Sequence, residues 1–337
     1  MADAALYGHG SSGSAQRLSA RSSMDTSRGA PVPTYYGRPQ LKPAPFNKVI
    51  VGTYIFLAGL SGAAALLAAV ADRERGFAAK RAARRGRYLS LLTMTIGPVL
   101  LIYDLHTPKR FYNMLRIAKG TSPMSIGTWN LMAFSAFAGA SATAQFMSDR
   151  APAFRWLNPV ARACQVPAAI AGAGLSTYTA SLLSATSTPS WAAAPEALAV
   201  RFGASSIAAA GAALSLGERS EAMRNRLETI AGAALAVEAV ATAAAAKTHR
   251  DRDIASMPSS PSRALERAGT IGVGLALPLG LYALSRLAGG NKRVSTTASL
   301  AVLAGSLLLR ISTLAVGAET AKNPNVSLRF TQPRITN

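Results

Sequence analysis

Between Tyr103 and Asn130 the sequence YDLHTPKRFYNMLRIAKGTSPMSIGTWN gathers an acid, an imidazole, a guanidinium, a phenol and an indole: Asp104, His106, Arg110, Tyr112 and Trp129. Asp104 and His106 are the catalytic candidates, because a carboxylate and an imidazole can each take up and release a proton. Arg110 and Tyr112 supply hydrogen-bond donors beside them, and Trp129 an aromatic wall. Two structural readings stand next to this one: Asp104 as an ion pair with Arg110, or as a cap on the following helix. Thr107 and Pro108 read as N-cap and first residue of a short helix, since threonine accepts an orphan amide and proline lacks one. Phe111, Met114, Leu115 and Ala118 then share a face at i, i+3, i+4 and i+7. Lys109, Arg110, Arg116 and Lys119 cover the rest, the division expected of a helix in a membrane interface. A lid without chemistry would show the same amphipathicity.

Ionisable groups inside apolar segments give a second signal, since a charge near a bilayer centre costs about 2.5–3.5 kcal/mol and normally faces protein or water. Arg201, Glu238 and Arg310 are placed this way, with Glu196 nearer a segment end, and these four are the proton-path candidates. Buried ion pairs without a transport role are the alternative. Tyr54, about one and a half turns into the first apolar segment, has the depth of a member of an interfacial aromatic belt.

Apolar runs of roughly 20 residues, enough to cross a hydrocarbon core of about 30 Å, must position these groups. They fall at about 49–70, 88–103, 126–147, 163–187, 191–216, 229–246, 270–288 and 294–317. The expected fold is an all-α membrane protein, an eight-transmembrane-helix bundle with a short interfacial helix between helices 2 and 3. Residues 1–45 read as a disordered arm, 46–320 as the membrane domain and 321–337 as a C-terminal tail. Residues 247–269 read as an exposed loop, and Pro98, Pro167 and Pro278 as kinks within spans.

Half of the residues are hydrophobic and 15% are charged, which is the composition of a polytopic membrane protein. The +21 net charge sits in connections beside spans, where lipid phosphates and the positive-inside bias account for it, so nucleic acid is not an expected partner. The densest group, Arg73, Arg75, Lys80, Arg81, Arg84, Arg85 and Arg87, places the first connection inside and both termini outside a plasma (inner) membrane. The acids and bases within spans then fall in the outer half, leaving the inner half almost without any, and protons are expected to leave outward. One cysteine, Cys164, excludes an iron–sulfur cluster, a zinc site and an internal disulfide. None of His9, His106 and His249 lies mid-segment, so neither haem nor bound metal is expected.

Asp104-Leu105, Pro108-Lys109-Arg110-Phe111, Asn113-Met114-Leu115-Arg116 and Thr121-Ser122-Pro123-Met124-Ser125-Ile126-Gly127-Thr128-Trp129 together resemble the signature of NrfD/PsrC-like membrane subunits of polysulfide-reductase-type complexes. The resemblance extends to Tyr35-Tyr36-Gly37 with Pro39, to Gly59-Leu60-Ser61-Gly62, and more weakly to Arg310 with Gly317, covering about residues 35–320. His106 and Thr107 depart from the family's usual Asp-Leu-Gly-Arg-Pro. The resemblance implies a membrane anchor and quinone-reactive subunit that binds an exchangeable quinone, menaquinol or ubiquinol. It implies an iron–sulfur ferredoxin-like partner and a catalytic subunit, molybdopterin-containing or other. Tyr54, Asp104, His106, Arg110, Tyr112 and Trp129 are the expected quinone contacts. A secondary transporter and a structural anchor without a quinone site are the other function classes compatible with the residues.

Overall fold

The computed structural model describes residues 41–105, 107–252, 254 and 260–331. The expected N-terminal arm lies almost wholly outside the described residues, as do His106 and the Tyr35-Tyr36-Gly37 motif with Pro39. The described residues are helical, without strands: α1 Lys48–Arg73, α2 Phe77–Asp104, α3 Pro123–Arg150, α4 Leu157–Ser184, α5 Pro195–Leu216, α6 Glu221–Asp251, α7 Pro261–Leu287, α8 Lys292–Lys322 and a short α9 Pro324–Thr331. Seven of these, all but α3 and α9, are long and apolar enough to cross a membrane. At 28 residues α3 has the length as well, but Thr128, Asn130, Ser135, Ser141 and Gln145 dilute its apolar run.

Short connections make consecutive helices antiparallel, and their contacts form two four-helix groups. In the first, α1 packs on α2 and α4, and α3 on α4 and α2; in the second, α5 packs on α6 and α8, and α7 on α8 and α6. The groups meet where α1 touches α5 and α8 and where α4 touches α5. Helix association in lipid depends on close backbone approach rather than on hydrophobic burial. The Gly59-Leu60-Ser61-Gly62 motif supplies it: a side chain at Gly62 would strike the Gly172 carbonyl of α4, and one at Gly59 would strike Ser206 of α5. Between them Ser61 donates its hydroxyl to Ser90 O of α2 at 2.7 Å.

Several sequence expectations need correction. The span expected from Tyr88 begins at Phe77, so most of the basic cluster lies on the first turns of α2 and only residues 74–76 form a turn. Alanine, lysine and arginine are strong helix formers, and long basic stems can lie along apolar surface while their heads reach water. The expected 247–269 loop is largely helical, because α6 continues to Asp251 and α7 starts at Pro261. Trp191 belongs to a separate turn, Pro189–Ala192, ahead of α5; its indole donates to Thr313 O at 2.9 Å. Pro98 and Pro167 do lie inside helices. Pro278 follows a π-helical stretch, Glu266–Ala276, in which the next amide, Leu277 N–H, already bonds back to Gly272 O. Widening the turn before a proline accommodates its missing donor and the clash of its ring with the preceding turn.

The connection at 105–122 also differs in detail. It holds a 3₁₀ helix, Pro108–Leu115, without a side-chain cap from Thr107. The Thr107 backbone carbonyl instead accepts Arg110 N–H at 3.0 Å. Ala118 lies beyond the end of this helix and is exposed. With three residues per turn, Phe111 and Met114 still share a face.

Candidate functional site

Beneath this connection, α1, α2, α3 and α4 enclose a cavity of about 260 Å³. Its walls are mostly apolar, with Leu101, Ile102 and Leu131 among them, and Phe111, Met114 and Leu115 close it from the 3₁₀ helix. Polar groups enter at Tyr54, Thr128, Ser135, Tyr178 and Thr179. The Thr128 and Ser135 hydroxyls donate to carbonyls one turn back, at 3.0 and 2.6 Å, leaving the two tyrosines as the larger polar features. Tyr54 of α1 is 8% exposed and lines the cavity together with the half-buried Tyr178 of α4. Four of the nine methionines, Met94, Met114, Met124 and Met132, line the cavity, and their flexible thioethers make an adaptable apolar wall.

The lid is held by the Thr121–Trp129 motif. Ser122 caps α3 by accepting Ser125 N–H at 3.4 Å. The Ser125 hydroxyl donates to Ile117 O and accepts Lys119 N–H, both at 2.8 Å, and Trp129 Nε1 donates to the same Ile117 carbonyl at 3.2 Å. Gly127 is required for a different reason: a side chain there would overlap the Tyr178 ring.

The expected site residues separate on this frame. Tyr54 lines the cavity. Asp104, the last residue of α2, precedes the lining residue Leu105 but is not itself part of the cavity lining; it is half-buried, and Asn47 N–H, at the start of α1, donates to its Oδ1 at 3.2 Å. Neither an Asp104–Arg110 ion pair nor an Asp104 cap on the 3₁₀ helix is present among the described residues. Arg110 and Tyr112 are exposed on the lid, Trp129 fastens it, and His106 lies outside the described residues. Tyr178 was not anticipated, because only the packing of α4 against Gly127 brings it here; the concentration of methionines between 94 and 132 was the signal available in sequence.

Three of the four proton-path candidates cluster in the second helix group. Arg310 is 1% exposed and fully engaged at both terminal nitrogens. Nη1 donates to Ser205 Oγ and Ser306 Oγ at 2.7 Å, and Nη2 to Phe202 O and Ser206 Oγ at 2.9 Å. Its guanidinium also sits 5.0 Å from the Phe202 ring centre. The buried Glu238 carboxyl faces Arg310, Arg201 and Ser205. Arg201 pairs at 3.7 Å with Glu266, near His249, whose Nε2 donates to Ser190 O at 3.1 Å. Glu196 is not part of this group; it is exposed in an open groove between α5 and α6.

The expectation that the half away from the lid has almost no acids or bases fails. The long helices carry buried Arg87, paired with Asp72 at 2.6 Å, and Glu228, which accepts the Ser295 hydroxyl at 2.8 Å. Ser299 continues this set through Tyr282 and Ser215, each at 3.0 Å. Val302, Leu235 and Leu275, all buried, belong to the apolar cluster that follows it along α8 before Ser306 and Arg310. Among the described residues no group of three or more His, Cys, Asp or Glu could hold a metal ion.

Long apolar helices and charges buried mid-helix define a multi-pass membrane protein, and four of its helices border a cavity under the lid. The family model described as polysulphide reductase, NrfD, matches residues 39–247, from ahead of α1 through most of α6. The chain belongs to the NrfD family, whose members are membrane subunits of respiratory oxidoreductase complexes. No curated protein matches the chain.

Proposed function

We propose that this chain is the quinone-reactive membrane anchor of a multisubunit respiratory oxidoreductase, with eight transmembrane helices that include α3. The observation that carries the reading is the apolar cavity beneath the lid, entered by the Tyr54 and Tyr178 side chains. Its volume of about 260 Å³ is near the lower end of ligand sites, ~300–1,000 Å³, and suits a flat head group with its isoprenoid tail outside. A quinol supplies two electrons and two protons. The chain's own residues orient the ring by the two phenols, exclude water with Phe111, Met114 and Leu115, and offer Asp104 at the rim as proton acceptor. His106, next but one in sequence, is a second proton acceptor in this proposal. Electrons pass to an iron–sulfur subunit docked on the lid face, beside a separate catalytic subunit, because this chain's single cysteine cannot ligate a cluster.

The face opposite the lid is the cytoplasmic one in this reading, given the basic side chains at the start of α2. Arg201, Glu238 and Arg310 then lie mid-membrane, separated from the Ser299–Glu228 group by apolar packing around Val302. That barrier supports proton release on the lid face. In the eight-crossing topology both helix groups begin at that same face, so they are not inverted repeats of the transporter kind. A purely structural anchor would have no need of the cavity.

The test replaces Asp104 by Asn and Tyr54 by Phe. Asparagine retains an acceptor for Asn47 N–H while removing the ionisable group, and phenylalanine retains the ring. Quinol oxidation by the assembled complex, with a soluble acceptor and subunit ratios checked, is expected to fall about 10²–10⁴-fold for Asp104→Asn and less for Tyr54→Phe. Normal turnover in both variants would remove this site.

A further inference from the structure

On the face opposite the lid, the ends of α1 and α3 and the beginnings of α2 and α4 border a second cavity, of about 630 Å³. Five cations line it, Lys80, Arg81, Arg84, Arg87 and Arg162, against two carboxylates, Asp72 and Asp149, a surplus of three positive charges. Both carboxylates are already committed. Asp72 takes Arg87 Nη2 at 2.6 Å on one oxygen and faces Arg162 Nε at 3.7 Å with the other. Asp149 accepts the Tyr88 hydroxyl at 2.6 Å and Gln145 Nε2 at 3.0 Å, with Arg84 at 3.5 Å. Arg81 reaches Glu218 at 3.4 Å, yet its Nε is buried without a hydrogen-bond partner. Lys80 is exposed and joins no ion pair among the described residues.

The backbone adds positive potential from two directions. Both α2 and α4 start at this cavity, at Phe77 and Leu157, and neither start has a side-chain cap. The first-turn amides of α2 and the dipoles of both helices favour an anion; at the start of α4 the Asn158 N–H already bonds to Arg155 O at 3.2 Å and Pro159 has no amide hydrogen. Trp156, 65% exposed immediately before α4, marks this level as the membrane interface, where headgroup phosphates lie. We propose that this crevice is a binding site for the phosphate group of an anionic amphiphile, a phospholipid headgroup of the leaflet facing away from the lid. Lys80, Arg81, Arg84 and Arg162 hold the phosphate, and Arg87 with Asp72 forms the floor. This site is separate from the quinone cavity, and its test does not depend on turnover.

The full chain, purified in detergent, is incubated with equal phosphatidylglycerol and phosphatidylcholine and examined by native mass spectrometry, with a parallel thermal-shift titration of inorganic phosphate. One phosphatidylglycerol is expected to be retained in preference to phosphatidylcholine. Lys80→Gln with Arg162→Gln should weaken that retention about 25-fold, at about five-fold per charge. Lys80→Gln alone, at an exposed position, should weaken it about five-fold and serves if the double variant does not fold. Arg116→Gln with Lys119→Gln, the same charge change on the lid face, should leave it unaltered. Stabilisation by inorganic phosphate that Lys80→Gln reduces, without lipid retention, would support the phosphate site and assign it to a soluble anion. Equal retention of both lipids with no phosphate effect, or equal loss in the Arg116/Lys119 variant, would overturn the proposal.

Discussion

Gly127→Ala tests the cavity through its shape rather than its chemistry. A methyl group at this position would overlap the Tyr178 ring at Cζ, Cε1 and the hydroxyl oxygen, whereas non-bonded carbons settle at about 3.5–4.0 Å. The ring must therefore withdraw by more than about 1 Å, and the space next to it is the cavity of about 260 Å³. Because a half-buried side chain can move into an open space, the stability cost should fall at the lower end of the ~1–3 kcal/mol typical of overpacking. Catalysis should suffer more, since about 1 Å of misplacement near reacting groups can cost about 10²-fold. Quinol titrations of the assembled complex should show kcat/KM reduced by about that factor, with the melting temperature only slightly lowered. Tyr178→Leu combined with Gly127→Ala should restore the melting temperature but not the turnover, because the clash is gone and so is the phenol. Unchanged quinol kinetics in Gly127→Ala, with the protein intact, would refute the assignment of this cavity.

Two other outcomes follow from the buried charges and from the helix ends. Arg310→Met removes five hydrogen bonds and leaves Glu238 facing only Arg201 of its two cationic neighbours, so the chain should lose about 3–5 kcal/mol of stability and assemble poorly; fluorescence-detected size exclusion with heating measures this. In a Cys164→Ala background, cysteine at position 80 should react with a membrane-impermeant maleimide only after the cells are opened, and labelling in intact cells would reverse the topology.

The membrane class, the approximate spans and the place of the lid were legible in the residues because each depends on local pattern. Apolar run length reports a crossing whatever the helix packs against. Helix ends were less legible: the basic start of α2 reads as a loop by polarity, but Ala, Lys and Arg favour helix and long stems let the charges reach water. The π turn before Pro278 likewise depends on how α7 meets α8, where Gly274 and Gly305 approach backbone to backbone. The composition of the site was decided only by tertiary structure. Tyr54 was a candidate through the family resemblance, whereas Tyr178 reaches the same cavity because Gly127 leaves room for its ring. Asp104, adjacent to Arg110 in the linear reading, instead binds the Asn47 amide, since the antiparallel pairing of α1 and α2 brings together residues 57 positions apart. Sequence spacing determines which groups share a helix face, but which faces meet depends on where small residues let backbones close.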